Sequence, residues 1–161
     1  MAPLNDQLCP DANAMIELGR AWAKKMWGGE RIGLVGALGA GKTTFAKGFI
    51  AELTGLHPDE IQSPTFTLVQ SYATRRDCFT IMGPCLRRDD TGRNDIYHLD
   101  LYRLNSLVEF ENLGLDEFFT PSNIILIEWA DKFLEVQKLC TQIFKFKRGL
   151  GSTVHFATSH E

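Results

Sequence analysis

At 161 residues the chain is about one domain long, enough to bury an ordinary core without disulfides, and a single domain over residues 1–161 is expected. Apolar residues make up 44% and charged residues 23%, and a formal net charge of -3 provides no global attraction to nucleic acid, so any RNA contact has to be local. Cys9, Cys78, Cys85 and Cys140 show neither C-x-x-C nor zinc spacing, no stretch approaches the ~18 apolar residues that span a bilayer, and the first residues lack a basic-then-apolar leader, so a cytoplasmic protein without a membrane segment is expected.

In chain order, Asp11 or Asn13 caps a helix running to about residue 25, with Met15, Leu18, Trp22 and Met26 on one face and Gly28-Gly29 as its stop. That stripe suits packing onto a central sheet. The apolar run Ile32-Gly33-Leu34-Val35 then leads into Gly36-Ala37-Leu38-Gly39-Ala40-Gly41-Lys42-Thr43, which fits G-x-x-x-x-G-K-[ST], and a second helix follows to about residue 53, stopped by Gly55. Strand, glycine-rich loop and helix is the order a phosphate cradle requires. Backbone N–H groups of the loop point at phosphate oxygens and the helix adds the positive end of its dipole. Gly36, Leu38, Gly39, Ala40, Gly41, Lys42, Thr43 and Thr44 are therefore candidate nucleotide-binding residues, with Lys42 reaching the terminal phosphates and the Thr43 hydroxyl ligating Mg²⁺.

Residues 63–69, Ser-Pro-Thr-Phe-Thr-Leu-Val, read as a strand, because Pro64 bars Ser63 from helix and β-branched and aromatic residues follow. Residues 75–94 read as an inserted polar loop in which Arg75, Arg76, Arg87, Arg88 and Arg93 outnumber Asp77, Asp89 and Asp90; a solvated loop is favoured over an RNA contact. Asp89-Asp90-Thr91-Gly92 matches D-x-x-G by accident, since no apolar strand precedes it and no N-K-x-D guanine signature exists. Beyond it, residues 96–103 form a short strand running into a polar loop, residues 107–119 supply turn and helix, and Ile124-Ile125-Leu126-Ile127-Glu128 has the four consecutive aliphatics of a buried parallel strand. The alternating tail from Phe144 to Phe156, turning at Arg148-Gly149-Leu150-Gly151, predicts an antiparallel hairpin.

Phosphoryl transfer demands positioning and charge stabilisation, so a phosphate loop needs an acid near the metal and a group that orients the attacking oxygen. Glu128, at the C-terminal end of its strand, is the leading acid and a candidate metal ligand with Thr43. Asp100 is a second candidate and Thr65 a candidate switch threonine, while His98 is acid/base, hydrogen-bonding support or core, with core favoured.

The ordered set Gly39-Ala40-Gly41-Lys42-Thr43-Thr44, Ser63-Pro64-Thr65-Phe66, His98-Leu99-Asp100-Leu101-Tyr102-Arg103, Leu113-Gly114-Leu115 and Ile127-Glu128-Trp129 resembles TsaE, the small ATPase family of bacterial tRNA threonylcarbamoyladenosine synthesis. The resemblance implies a P-loop NTPase-like three-layer sandwich with a mainly parallel central sheet and a C-terminal antiparallel hairpin. It implies ATP and Mg²⁺ as ligands, TsaD and TsaB as partners, and tRNA reached indirectly through their complex. It also implies that Glu128, Asp100 and Thr65 serve hydrolysis and that Trp129 lies beside the nucleotide edge. The family usually carries Asp at the position of Ala37, which implies slower turnover here, and its link before the His-x-Asp strand is shorter. A small-metabolite kinase and a nucleotide-gated binding module with little turnover are the alternative readings.

Overall fold

Two aliphatic strands set the middle of the sheet. In the computed structural model, which describes residues 6–75, 95–149 and 151–157, β2 (Arg31–Gly36) and β5 (Ile124–Glu128) pair in parallel from Arg31 opposite Ile125 to Leu34 opposite Glu128. Every β5 residue is buried, as a strand covered on both faces requires. Parallel pairing continues outward to β6 (Gln142–Gly149) on one side and β4 (Asp95–Asp100) on the other. Antiparallel strands close both edges: β3 (Val69–Ala73) on β4, and β7 (Gly151–Ala157) followed by β1 (Asp6–Cys9) beyond β6. The order is β1-β7-β6-β2-β5-β4-β3, so the parallel core and the C-terminal hairpin are both present and β1 is an addition.

Alternation along the strands feeds two cores. Ile32, Leu34, Ile124, Leu126 and Phe144 meet α1 (Ala12–Ala23) and α2 (Lys42–Thr54), while Leu99, Ile125 and Ile127 meet α3 (Leu107–Glu111), α4 (Leu134–Leu139) and the 3-10 turns Leu115–Phe118 and Ala130–Lys132. That is the expected three-layer sandwich, with a second helical layer made of short pieces. Asp11 caps α1 by accepting from the Ala14 amide at 2.8 Å. Met15, Leu18 and Met26 are buried, and the Trp22 ring lies 5.0 Å from that of Phe144 on the sheet. The helix also crosses α2 at backbone contact, for a Cβ on Gly48 would sit 2.1 Å from the Ile16 carbonyl oxygen.

One expected element is corrected. Residues 64–67 form a turn closed by the Leu68 amide donating to the Pro64 carbonyl at 2.7 Å, and β3 starts only at Val69. The turn prevails because the Thr65 hydroxyl donates to Asp100, and Phe66 is left 79% exposed beneath the Arg103 guanidinium. The helical material after residue 106 is split by Gly114 at φ 64°. The arginine-bearing insertion and the D-x-x-G match, residues 76–94, lie outside the described residues. Among the described residues no helix is long and apolar enough to cross a membrane.

Candidate nucleotide-binding site

The loop leaves β2 at Gly36 and enters α2 at Lys42. Gly41 is the turning point, held at φ 107° with the Met15 terminal methyl 2.8 Å from where a Cβ would stand, so any other residue there meets backbone strain and needs that methyl to move. The first amides of α2 have no partner within the helix and open at its positive end. Ala40 is buried and its amide closes the loop onto the Ala37 carbonyl, whereas Leu38 stands 70% exposed on the rim.

Lys42 is the most unusual charge in the structure. It is 4% exposed, and its ammonium donates to the Gly36 carbonyl at 2.5 Å and the Ala37 carbonyl at 3.0 Å. The ring of Trp129 covers it, with its centroid 3.8 Å from Nζ. Burial pulls its pKa below the ordinary lysine value, against the raising pull of Glu128, Asp100 and Asp131. Among the described residues it forms no ion pair within 4 Å, so the cation is held by neutral dipoles and a π face. An arriving polyanion would meet a charge already desolvated.

Glu128, 2% exposed, accepts from the Thr43 hydroxyl at 2.8 Å through Oε2 and lies 2.8 Å from His98 Nε2 through Oε1. A carboxylate only accepts, so Nε2 is assigned as the donor, while Nδ1 is buried with no hydrogen-bond partner among the described residues. Asp100, 3% exposed, lies opposite Glu128 in the β4–β5 register. Its Oδ2 accepts from the Thr65 hydroxyl at 2.8 Å and its Oδ1 from the Tyr102 amide at 2.9 Å. Ser63 Oγ lies 2.8 Å from Thr65 Oγ1.

Trp129 owes its position to a left-handed backbone, φ 60° and ψ 37°, a conformation costing a bulky residue about 1–2 kcal/mol. Its amide donates to the Leu34 carbonyl at 2.9 Å, and Tyr102 packs on its ring at 5.2 Å between centroids. Lys42, Thr43, Thr65, Asp100, Tyr102, Glu128 and Trp129 line a cleft of about 230 Å³ with Leu38, Gly39, Gly41 and Thr44 on its loop side. A larger groove of about 440 Å³ lies elsewhere, between α3 and α4, but it is the smaller cleft that brings a lysine together with hydroxyls and buried carboxylates.

The donor set suits a small hard cation. The Thr43 hydroxyl and the Glu128 and Asp100 carboxylates are oxygen ligands of the kind Mg²⁺ takes. Among the described residues no three His, Cys, Asp or Glu side chains form a metal cage, so a cation here would complete its shell with water and phosphate oxygens. Tyr102 escaped the sequence reading, while His98, for which a core position was favoured over hydrogen-bonding support, is both fully buried and bonded to Glu128. Strand parity was the available signal for the latter, since positions 98 and 100 share a face and lie opposite 126 and 128.

A glycine-rich loop between a buried parallel strand and a helix, with a lysine at its end and a hydroxyl–carboxylate pair at the carboxyl ends of the neighbouring strands, defines a P-loop nucleotide-binding protein of the α/β class. The family model for the Threonylcarbamoyl adenosine biosynthesis protein TsaE matches residues 9–150, and the chain belongs to the TsaE family. It is 38% identical over 120 residues to the tRNA threonylcarbamoyladenosine biosynthesis protein TsaE of Bacillus subtilis, covering 74% of this chain and spanning 61% of that relative's length. It is 35% identical over 131 residues to the protein of the same name in Haemophilus influenzae, covering 78% of this chain and 71% of the relative. The Aquifex aeolicus relative is 32% identical over 132 residues, covering 82% and 81%. The crystal structure of YdiB from Bacillus subtilis superposes with a TM-score of 0.62 at 24% identity, over 98% of this chain and 87% of that one, and shares the fold.

Proposed function

We propose that this chain is a single-domain, Mg²⁺-dependent ATPase that supports threonylcarbamoyl modification of the adenosine beside the tRNA anticodon, acting in the cytoplasm with TsaD and TsaB and meeting tRNA through them. The relatives' names supply the pathway. The observation that carries the chemistry is the convergence of Lys42, Thr43 and Glu128 within hydrogen-bonding reach of one cleft. One seven-stranded sheet running through all the described strands supports the single-domain reading.

In this reading Lys42 leaves the Gly36 and Ala37 carbonyls for the terminal phosphates, and the open amides of α2 hold the remaining phosphate oxygens. Thr43 and Glu128 would hold Mg²⁺, which when bound neutralises charge building on the phosphate oxygens. His98 keeps Glu128 aimed at the cleft by occupying Oε1 and leaving Oε2 free to exchange its hydroxyl partner. Asp100 and Thr65 orient the attacking water, which adds to the γ-phosphorus as the bond to the ADP oxygen breaks. A second reading, a nucleotide-gated module with little turnover, is favoured by Ala37, which places no carboxylate on the loop.

The test is steady-state phosphate release from ATP with Mg²⁺, by the chain alone and with TsaD and TsaB, using Lys42→Ala as background. Stimulation by the partners supports the ATPase. ATP binding without release in either condition supports the gated module.

A further inference from the structure

The groove between α3 and α4, on the sheet face away from α1, plays no part in the chemistry above. Its floor is apolar and buried, made by Phe110, Leu115 and Val136 at 7%, 4% and 0% exposure, and it encloses about 440 Å³. Leu139 stands 43% exposed on its lip, and Val108 and Leu134, each 60% exposed, extend apolar surface along the same two helices. Three carboxylates line it: Glu111 from α3, Asp116 from the 3-10 turn and Glu135 from α4. All three are exposed, and among the described residues none has an ion pair or a side-chain hydrogen bond. An apolar slot with unpaired negative charge around it repels RNA phosphates and matches the opposite pattern on a protein.

We propose that this groove docks a partner-protein segment of cationic amphipathic character, an apolar anchor flanked by Lys or Arg, as in helix-in-groove recognition. The proposal rests on the reading that the chain works with partner proteins. A volume of about 440 Å³ takes a few side chains, so the groove is the anchor point of a wider contact rather than the whole interface, which usually covers about 800 Å² per partner. Its walls explain why an occupant would matter to the site. The α3 wall follows directly from the Asp100–Tyr102 segment, and the α4 wall follows from Glu128 and Trp129 through the Ala130–Lys132 turn. Lys132 bonds the Tyr102 carbonyl and ties the two segments together. A segment wedged between α3 and α4 therefore acts on the two chain segments that present Asp100 and Glu128.

The experiment titrates labelled chain with the TsaD–TsaB complex and compares three proteins: the parent, Glu111→Lys with Glu135→Lys, and a control with the same charge change far from the groove, Glu17→Lys with Asp59→Lys. The groove variant is expected to lose about tenfold or more in affinity while the control changes by less than about threefold, with the ATP affinity of all three alike as proof of folding. Equal affinity of the groove variant and the parent overturns the proposal while leaving the partner reading intact, and so does an equal loss in the control. Failure of the parent itself to associate removes the partner reading and this proposal together. Weakening by Leu139→Ser, which alters no charge, is the expected companion result.

Discussion

Thr65→Val tests the link between the turn at 64–67 and the acid on β4. The substitution keeps the shape of the side chain and removes one hydroxyl, which donates to Asp100 Oδ2 at 2.8 Å. Asp100 is 3% exposed and otherwise accepts only from the Tyr102 amide among the described residues, so the change leaves half of a buried carboxylate without a donor. A hydrogen bond to a charged group contributes about 1.5–3 kcal/mol, and because Thr65 itself is only half-buried, water entering the gap pulls the cost towards the lower end. A chain of 161 residues unfolds with an entropy of about 0.34 kcal/mol/K, so the expected fall in Tm is about 4–9 °C. Calorimetry of the parent, Thr65→Val and Thr65→Ser measures it. Serine retains the hydroxyl and should stay within about 0.5 kcal/mol of the parent. A valine variant that melts with the parent, or a serine variant that falls as far as valine, would refute the claim that this bond holds the turn.

Glu128→Ala should abolish phosphate release while leaving ATP affinity within a few-fold; release at the parental rate would remove that acid from the mechanism. Lys42→Ala should weaken triphosphate binding by at least about tenfold, and ATP added to the parent should change Trp129 emission as the ammonium leaves the ring 3.8 Å away; an ATP titration that leaves Trp129 silent while binding occurs argues that Lys42 stays on its carbonyls. Burial pushes the Cys140 thiol up to about 12 from 9.0, opposed by Arg31, so at pH 8 peptide mapping after alkylation should find Cys140 unmodified in the native chain and modified in urea. Because the folded pKa lies above the unfolded one, this group's stabilisation is complete below pH 9 and is lost as pH rises towards 12, by at most about 1.4 kcal/mol per pH unit. Denaturation midpoints that stay flat over that alkaline window would contradict it.

Local chemistry made much of this protein legible before its fold. The phosphate loop could be read because glycine spacing, Lys42 and the flanking strand and helix lie within one short stretch, and β5 because four adjacent aliphatics have few other uses. Residues 63–69 misled the reading for the reverse reason. Their propensity for strand is weak beside a carboxylate arriving from residue 100, and it is that distant partner which bends Thr65 into a turn. The edge strand β1 was equally invisible, since its pairing with β7 joins residues more than a hundred positions apart.

The sequence by itself determined the loop that cradles phosphate, the buried strand ending in Glu128 and the closing hairpin, because each depends on neighbours along the chain. Only the tertiary structure decided that His98 supports Glu128, that Trp129 turns its ring over Lys42, and that Thr65 answers Asp100. Those contacts depend on the register of β4 against β5 and on a left-handed residue after it, and a register is settled by how two faces of a sheet pack rather than by any one segment's composition.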